Sequence, residues 1–110
     1  MQNTADATAG YRSAGYLRYR LSSLEVWAER SATEAELYLD IATRLLHRDR
    51  IRDRALERIA RAARFAADRA KDRASELDWT GTRNSAVEAW HLVLEARAVL
   101  RPGGLTPTPK

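Results

Sequence analysis

The sequence predicts an all-α protein, a four-helix antiparallel bundle with one long arginine-rich helix. Three observations support this fold class. Apolar residues recur at spacings of three and four through most of the chain, which is the period of an amphipathic helix. Residues 31–80 contain neither glycine nor proline, the two residues that most often interrupt helices. Capping patterns recur between the apolar stripes, and no stretch alternates polar and apolar residues as a half-buried strand does.

The chain of 110 residues has the usual size of one domain. We expect a flexible N-terminus over residues 1–11, a helical bundle domain over residues 12–101 and a disordered Pro/Thr tail over residues 102–110. The absence of cysteine excludes disulfides and thiolate chemistry. The N-terminal segment lacks the basic and apolar regions of a signal peptide, and no apolar run is long enough to span a membrane. A cytoplasmic protein without a membrane partner is therefore expected.

The first two helices are predicted from adjoining apolar stripes. The first should run from about residue 13 to residue 30, and its inner stripe consists of Leu17, Leu21, Leu24, Trp27 and Ala28. The segment Ser31-Ala-Thr-Glu34 has the form of a capping box, in which the serine caps a helix and the glutamate reaches back to it. A second helix should therefore begin there, with the inner residues Ala35, Tyr38, Leu39, Ala42, Leu45 and Leu46.

The boundary between the second and third helices carries no glycine or proline. One continuous helix over residues 31–77 is possible. However, the apolar arc of residues 35–46 is rotated by about 90° from that of residues 51–77, so a single helix would bury two different faces. We place a break near residues 47–49, with Asp49 as the N-cap. The inner face of the third helix is then formed by Ile51, Ala55, Leu56, Ile59, Ala62, Ala63, Ala66, Ala67, Ala70, Ala74 and Leu77.

The fourth helix follows the clearest loop signal, Asp78-Trp-Thr-Gly-Thr82, in which Gly81 is free to adopt a positive φ. Thr82 or Asn84 is the expected N-cap. The helix should end at Arg101, because proline and two glycines follow it. Its inner face consists of Val87, Trp90, Val93, Leu94, Ala98 and Leu100.

The tripeptide Trp79-Thr-Gly81 in this loop is similar to the W-x-G tripeptide of the small secreted helical-hairpin proteins of actinobacteria. In that family the tripeptide occupies the central turn, whereas here it lies in the last third of the chain. The other interpretation is that Trp79 closes the end of the bundle over the loop.

Positive charge is concentrated in one window of the sequence. The chain has a formal net charge of +4 and a pI of about 10.0. Residues 44–73 alone carry ten Arg and one Lys against five acidic residues, a net charge of +6. This concentration favours an anionic partner, above all nucleic acid. On a helical projection, six basic residues lie opposite the alanine-rich stripe, and we predict them to bind nucleic acid: Arg50, Arg54, Arg58, Arg61, Arg64 and Lys71.

The same surface has an alternative interpretation as a solvated, ion-paired helix face. It also carries the acidic residues Asp53, Glu57, Asp68 and Asp72. Glu57 lies one turn before Arg61, and Arg64 lies one turn before Asp68, so both spacings predict ion pairs. Phe65 lies among the arginines on this side, where it would contact a partner helix or stack on a base. Core packing is the expectation for Trp27 and Trp90.

No catalytic signature is present. His47 and His91 are the two histidines, and the sequence brings no serine and carboxylate to either of them. The carboxylates do not show metal-ligand spacing with histidine, and there is no glycine-rich phosphate loop. We therefore predict that the protein is not an enzyme, with no catalytic residue, no cofactor, no metal site and no small-molecule substrate.

A small, basic, helical chain with one arginine-dense helix resembles the small α-helical subunit of multi-subunit CRISPR effector complexes. The resemblance covers roughly residues 12–101 and rests on size, helical architecture and the segment Arg44–Arg73, without a diagnostic motif. It implies a non-catalytic ribonucleoprotein subunit of antiviral defence, in which arginines line the path of a guide RNA or of the target or displaced strand. The partners it implies are RNA or single-stranded DNA, other protein subunits and copies of itself.

Two other functions fit the same residues. A helical protein-interaction module or phage-type regulator would dock an acidic protein partner on the arginine face. A structural homo-oligomer would leave that face solvated. Competition by unlabelled RNA or by an acidic protein distinguishes the first of these from a nucleic-acid-binding subunit.

Overall fold

The computed structural model describes the backbone of residues 2–46 and 49–101, and the side chains of residues 15–46 and 49–101. Within these ranges there are three helices and no strand: α1 (Gln2–Arg44), α2 (Arg50–Ser75) and α3 (Trp79–Leu100). Each helix contacts both others, so they form a three-helix bundle. The prediction of an all-α fold is confirmed, and the prediction of four helices is wrong.

The difference in helix number comes from α1, which includes both the first and the second predicted helices. Ser31 is buried within α1, and its hydroxyl donates a hydrogen bond to the carbonyl of Trp27 at 2.9 Å. It therefore acts as a hydroxyl inside a helix and not as a cap. Glu34, the other half of the supposed capping box, forms an ion pair with Arg97 on α3. Nothing near Ser31 stops the helix, since no glycine or proline lies between residues 16 and 80.

The predictions for the two terminal segments, residues 1–11 and residues 102–110, stay predictions. The helical backbone of α1 begins at Gln2 and so includes most of residues 1–11, for which flexibility stays a prediction. The tail of residues 102–110 lies outside the described residues.

The boundary between α1 and α2 falls where the rotation of the apolar arcs predicts it. Asp49 is the N-cap of α2, and its carboxylate accepts hydrogen bonds from the backbone N–H groups of Ile51 at 3.0 Å and Arg52 at 3.2 Å. One continuous helix over residues 31–77 is therefore excluded. This capping satisfies two of the N–H groups that lack a partner inside the helix.

Three leucine and isoleucine residues near this turn are more exposed than predicted. Leu45 is 78% exposed, Leu46 39% and Ile51 72%, although all three were expected on inner faces. The reason is the length of α3. Arg97 in its last turn pairs with Glu34, ten residues before the end of α1, so α3 ends short of the C-terminal end of α1 and does not cover the α1–α2 turn.

The connection from α2 to α3 is shorter than predicted. Asp78 is the N-cap of α3, and its carboxylate accepts a hydrogen bond from the N–H of Gly81 at 2.9 Å. The predicted caps, Thr82 and Asn84, are wrong, since both lie inside α3. Gly81 is also inside the helix, and the positive φ of this connection belongs to Leu77, at 59°. Leu77 is half-exposed instead of buried.

Gly81 is needed for close approach. A Cβ atom at this position would lie 2.3 Å from Asp78 Oδ2 and 2.8 Å from Asp78 Cγ, so a side chain there would displace the cap. We expect Gly81→Ala to lower the free energy of unfolding by about 1 kcal/mol, the usual cost of losing an N-cap. Gly15→Ala is the matched control. A Cβ at Gly15 meets nothing within 4 Å, so alanine there should stabilise α1 by about 0.5–1 kcal/mol. Urea denaturation of both variants measures these changes. Equal changes in unfolding free energy would contradict the role of Gly81 in making room for the Asp78 cap.

The core between the helices is made mostly of alanine. Thirteen of the eighteen buried hydrophobic residues in the described part of the chain are alanines. Leu56, Ile59 and Val93 are the largest fully buried apolar side chains. Small side chains let the helix backbones approach closely. The alanine-rich inner face predicted for α2 is confirmed over Leu56–Ala74, with Ala62 only half-buried.

The two central tryptophans pack against this core from its edge. The rings of Trp27 on α1 and Trp90 on α3 lie 5.9 Å apart between centroids and are tilted by 39°. Their predicted role in packing is confirmed, although both stay half-buried. On α3, Leu94 was expected to face inwards but is 40% exposed, because the buried stripe runs through Thr82, Ser85, Ala86, Ala89, Val93, Ala96 and Val99.

Candidate nucleic-acid interface

The surface of α2 that points away from α1 and α3 contains most of the predicted binding residues. The buried alanine stripe occupies the opposite side of this helix. We call this surface the outer face of α2 and define it by the exposed residues Arg50, Arg54, Glu57, Arg58, Arg61, Phe65, Asp68, Asp72 and Glu76. On a projection of about 100° per residue these residues fall within about 100° of one another.

Three arginines on the outer face carry unneutralised charge. Arg50, Arg54 and Arg58 are exposed and form no ion pair within the described part of the chain. A spacing of four residues raises each guanidinium by about 6 Å along the axis and rotates it by about 40°. The three charges therefore form a slanted row on successive turns. This row is the most concentrated free positive charge of α2.

Arg61 continues the row but has a partner. Its Nη2 lies 2.9 Å from Glu57 Oε2, with the Arg61 side chain 80% exposed. The ion pair predicted between these two residues is confirmed. An exposed pair at this spacing contributes only about 0.3–0.5 kcal/mol, so a phosphate can displace the glutamate readily.

Arg64 differs from the other predicted binding residues because it bridges to α1. Its Nη1 donates to Glu29 Oε1 at 2.7 Å, and its Nε and Nη2 donate to the two oxygens of Glu36 at 2.9 Å each. The hydrogen bonds to Glu36 and Glu29 raise the pKa of Arg64 further above its ordinary value. The predicted ion pair with Asp68 is wrong, since the α1 carboxylates take that guanidinium. Arg64 therefore joins α1 to α2.

Lys71 lies on the C-terminal half of α2, where the charge is balanced. It is exposed and forms no ion pair within the described residues. Residues 66–76 contain three basic and three acidic residues, whereas residues 50–65 contain six arginines and two acidic residues. The positive excess is thus confined to the N-terminal half of α2, and Lys71 is separate from it.

A groove between α1 and α2 runs beside the arginine row. One part encloses about 560 Å³ and includes Arg50 and Arg54, and the adjoining part encloses about 410 Å³ and includes Arg61 and Arg64. Leu39 forms part of both floors. The rims also carry the carboxylates Glu36, Asp40, Asp53, Glu57 and Asp68. Because the groove mixes both signs of charge, a polyanion fits the row of Arg50, Arg54 and Arg58 better than the groove.

Phe65 is placed as the sequence predicts. It is 64% exposed on the outer face, and the Arg69 guanidinium lies 5.1 Å from its ring centroid. Arg69 is held in turn by an ion pair with Glu88 on α3. One side of the ring is thus supported by a fixed cation, and the ring remains accessible for stacking or for apolar contact.

A second basic and aromatic cluster lies at the opposite end of the bundle. Arg20 lies 5.5 Å from the ring centroid of Tyr16 and 5.1 Å from that of Trp79, and it donates to the Tyr16 hydroxyl at 2.7 Å. Trp79 therefore packs at the end of the bundle against a cation from α1. The sequence could not show this contact, because the two residues are 59 positions apart.

The contact between α1 and α3 contains a polar network that sequence patterns do not reveal. Arg97 Nε donates to Glu34 Oε2 at 2.7 Å, and the Tyr38 hydroxyl donates to the same carboxylate oxygen. The Arg97 guanidinium also lies 5.0 Å from the Trp90 ring centroid. The hydrogen bond from Arg97 is the main cause that lowers the pKa of Glu34 below its ordinary value. The hydrogen bond to Glu34 raises the pKa of Tyr38.

The lowered pKa of Glu34 makes stability depend on pH. The ionised carboxylate contributes fully above the pKa of the unfolded chain, and this contribution is lost as the pH falls through the lower folded pKa. We expect the melting temperature of the parent to fall with acidification below about pH 4.3, the ordinary glutamate pKa. Glu34→Gln should reduce that dependence. Glu95→Gln, an exposed carboxylate of α3, is the control and should leave it unchanged. Identical pH profiles for all three proteins would contradict the role of this ion pair.

The described residues also bear on metal binding and on the environment of the histidines. They contain no group of three or more His, Asp or Glu side chains that could hold a metal ion. His91 is exposed on α3, and His47 lies outside the described residues. None of the helices, over the ranges described, is both long and apolar enough to cross a membrane.

Comparison with known proteins identifies no relative of this chain. No protein-family model, curated protein or solved structure matches the chain.

Proposed function

We propose that the protein is a non-catalytic, basic helical subunit that binds the backbone of a nucleic acid through the outer face of α2. The observation that carries this proposal is the row of Arg50, Arg54 and Arg58, exposed on successive turns without ion pairs. Guanidinium groups bind phosphate oxygens with charge-assisted hydrogen bonds. Neutralising phosphates also releases condensed counterions, which supplies most of the affinity of binding without sequence preference.

Among nucleic acids, the chemistry of this surface favours a single strand as the ligand. Phe65 is exposed beside the arginine row, and an aromatic ring next to cationic residues is the usual combination for stacking unpaired bases. A convex helix face with one ring suits a flexible strand, whose bases can turn towards the ring. RNA and single-stranded DNA are both included in this proposal.

The more specific form of the proposal places the chain in a multi-subunit ribonucleoprotein complex, where it contacts a guide RNA or a target or displaced strand. Its support is the resemblance in size, all-α architecture and arginine-rich segment to the small subunit of CRISPR effector complexes. In such a setting the arginine row would follow a strand that other subunits hold. Other protein subunits and further copies of the chain would be its partners.

The test is a triple substitution of Arg54, Arg58 and Arg61 by alanine, with binding of labelled single-stranded RNA and DNA measured by fluorescence anisotropy at several salt concentrations. We expect affinity at low salt to fall by orders of magnitude for any strand sequence. The slope of log affinity against log salt should become shallower by about 0.7–0.9 per lost phosphate contact. The fold should be retained, because all three side chains are exposed.

Two controls separate the charge of the outer face from the stability of the bundle. Arg64→Ala should lower stability, because it breaks the ion pairs with Glu29 and Glu36. The substitution Glu57→Gln should tighten binding slightly by removing repulsion on the exposed outer face. A triple arginine variant that binds both nucleic acids as the parent does would refute the proposal and favour a solvated face.

A second candidate function is docking of an acidic protein. Exposed apolar side chains flank the arginines, with Ile51 72% and Phe65 64% exposed, and arginine beside apolar anchors is typical of protein interfaces. Both partners would show salt-dependent binding. Recovery of the protein from its native host with associated nucleic acid or with a defined set of proteins distinguishes them, as does competition by unlabelled RNA.

A further inference from the structure

The outer face of α2 is divided into two blocks of opposite charge. Before Phe65 it carries Arg50, Arg54, Arg58 and Arg61, with one carboxylate, Glu57, which pairs with Arg61. After Phe65 lie three exposed carboxylates, Asp68, Asp72 and Glu76. Asp68 and Asp72 form no side-chain ion pair within the described part of the chain, and neither do Arg54 and Arg58. Like charges are therefore stacked one turn apart in both blocks, which is unfavourable within a single helix.

These two blocks are symmetric about Phe65. Arg58 lies seven residues before it and Asp72 seven residues after it. Arg54 and Glu76 lie eleven residues away on either side. Arg61 and Asp68 lie four residues before and three residues after. An antiparallel copy of the helix would therefore place Arg54, Arg58 and Arg61 of one chain opposite acidic positions of the other.

From this symmetry we infer that the outer face of α2 is a two-fold interface for a second copy of this chain, with the helices antiparallel and crossing at Phe65. The contact is isologous, since the same patch serves both chains. The two Phe65 rings, each 64% exposed, meet at the axis.

The pairing relieves repulsion in both blocks at once. Arg58 of one copy meets Asp72 of the other, and the reciprocal contact forms at the far end. A parallel arrangement would set arginine against arginine and aspartate against aspartate. Charge complementarity therefore selects the antiparallel orientation and suppresses the parallel one.

The contact has the size of a weak, reversible interface. The 26 residues of α2 span about 39 Å. One helix from each chain, with one aromatic ring each, belongs to the class that buries less than about 1,200 Å² in total. We expect dimers to form at high protein concentration and low salt. The inference goes beyond the proposed function and does not depend on it, because the acidic block plays no part in phosphate binding.

The two activities of this surface exclude each other. Pairing covers Arg54 and Arg58, which belong to the row proposed to contact phosphate, and the adjoining Arg61. A nucleic acid should therefore dissociate the dimer. In a variant that cannot dimerise, the arginine row should be free to bind nucleic acid at any protein concentration.

The test uses charge reversal in one block at a time, with self-association of the full chain measured by sedimentation velocity. The variant Arg54→Glu/Arg58→Glu has a predominantly acidic outer face, and the variant Asp68→Lys/Asp72→Lys has a predominantly basic one. Each alone should remain monomeric where the parent dimerises. An equimolar mixture of the two should associate again, because the acidic faces then meet the basic faces.

The matched control is Arg30→Glu/Arg83→Glu, which changes charge equally on exposed residues of α1 and α3. It should dimerise like the parent and should not associate preferentially with the predominantly basic variant. Parent-like dimers in both reversed variants, a parent that stays monomeric at high concentration, or a mixture that does not associate would each overturn the inference.

Cysteine cross-linking tests the axis independently. The sequence contains no cysteine, so a disulfide between two copies can form only through the single cysteine that is introduced. Phe65→Cys should form a disulfide-linked dimer faster under mild oxidation than the exposed control Arg30→Cys. Equal rates would overturn the inference. Because Asp68→Lys/Asp72→Lys keeps the arginine row, it should lose pairing and still bind single-stranded RNA, so failure of pairing and failure of nucleic-acid binding are distinguishable.

Discussion

Replacing Leu56 by alanine is expected to lower the free energy of unfolding by about 2–5 kcal/mol. Leu56 is fully buried in α2 and is one of the few large side chains in the core. The buried cluster to which it belongs consists mostly of alanines, whose short side chains cannot fill the space that the leucine leaves. The cavity should therefore stay open, which places the loss towards the upper end of this range. Urea denaturation, monitored by circular dichroism, measures it.

Leu45→Ala is the matched control for this substitution. It makes the same chemical change at a side chain that is 78% exposed beside the α1–α2 turn. The change in unfolding free energy there should remain within about 0.5 kcal/mol. Similar losses for both leucines would contradict the burial of Leu56 and the exposure of the turn.

The second large effect is expected for Ala63→Leu. Ala63 is fully buried in α2, where small side chains set the distance between the helices. Three additional carbon atoms must displace a neighbouring backbone, so the helices move apart and several other alanine contacts are lost. Overpacking of this kind costs about 1–3 kcal/mol and exceeds that range when backbones must shift. Thermal unfolding measures the loss.

Thr33→Leu supplies the comparison, since it introduces a leucine at an exposed position of α1. Its effect should be small. A fully stable Ala63→Leu variant would show that the spacing of the helices is not set by their alanines.

The contrast between Asp49 and Ser31 shows what sequence patterns could predict about the helix boundaries. Both residues are good N-caps, and only Asp49 caps a helix. At Asp49 the apolar arc changes direction, so the chain must turn to bury both arcs. At Ser31 the inner stripe continues on the same side of the helix. The capping-box pattern alone does not determine whether a helix begins at Ser31, because Glu34 pairs with Arg97 on α3, 63 residues away.

Gly81 was misassigned for a different reason. Glycine is common in loops because it can adopt a positive φ, and this interpretation places Gly81 outside a helix. In the structure Asp78 caps the helix, and the glycine makes room for its carboxylate. Both roles require glycine, and the sequence does not distinguish a positive φ from a close contact.

The candidate surface was partly predictable. A helical projection places Arg50, Arg54 and Arg58 correctly on the solvent side, because their positions depend only on α2. It fails for Arg64, at the edge of the same arc, since the partners of that residue lie on α1. One-helix geometry determines which side chains are exposed, and only the packing of the helices determines which charges are neutralised. The proposed ligand follows from the chemistry of this surface, since a three-helix bundle supports many functions.

The alanine-rich core has a consequence for how the protein responds to temperature. The heat capacity increase on unfolding grows with the apolar area that becomes exposed to water. Alanine contributes little of this area, and alanines form most of the buried hydrophobic residues described. The curve of stability against temperature should therefore be broad and shallow for a chain of this length. The bundle should keep most of its stability on cooling, and its cold denaturation should lie at unusually low temperature.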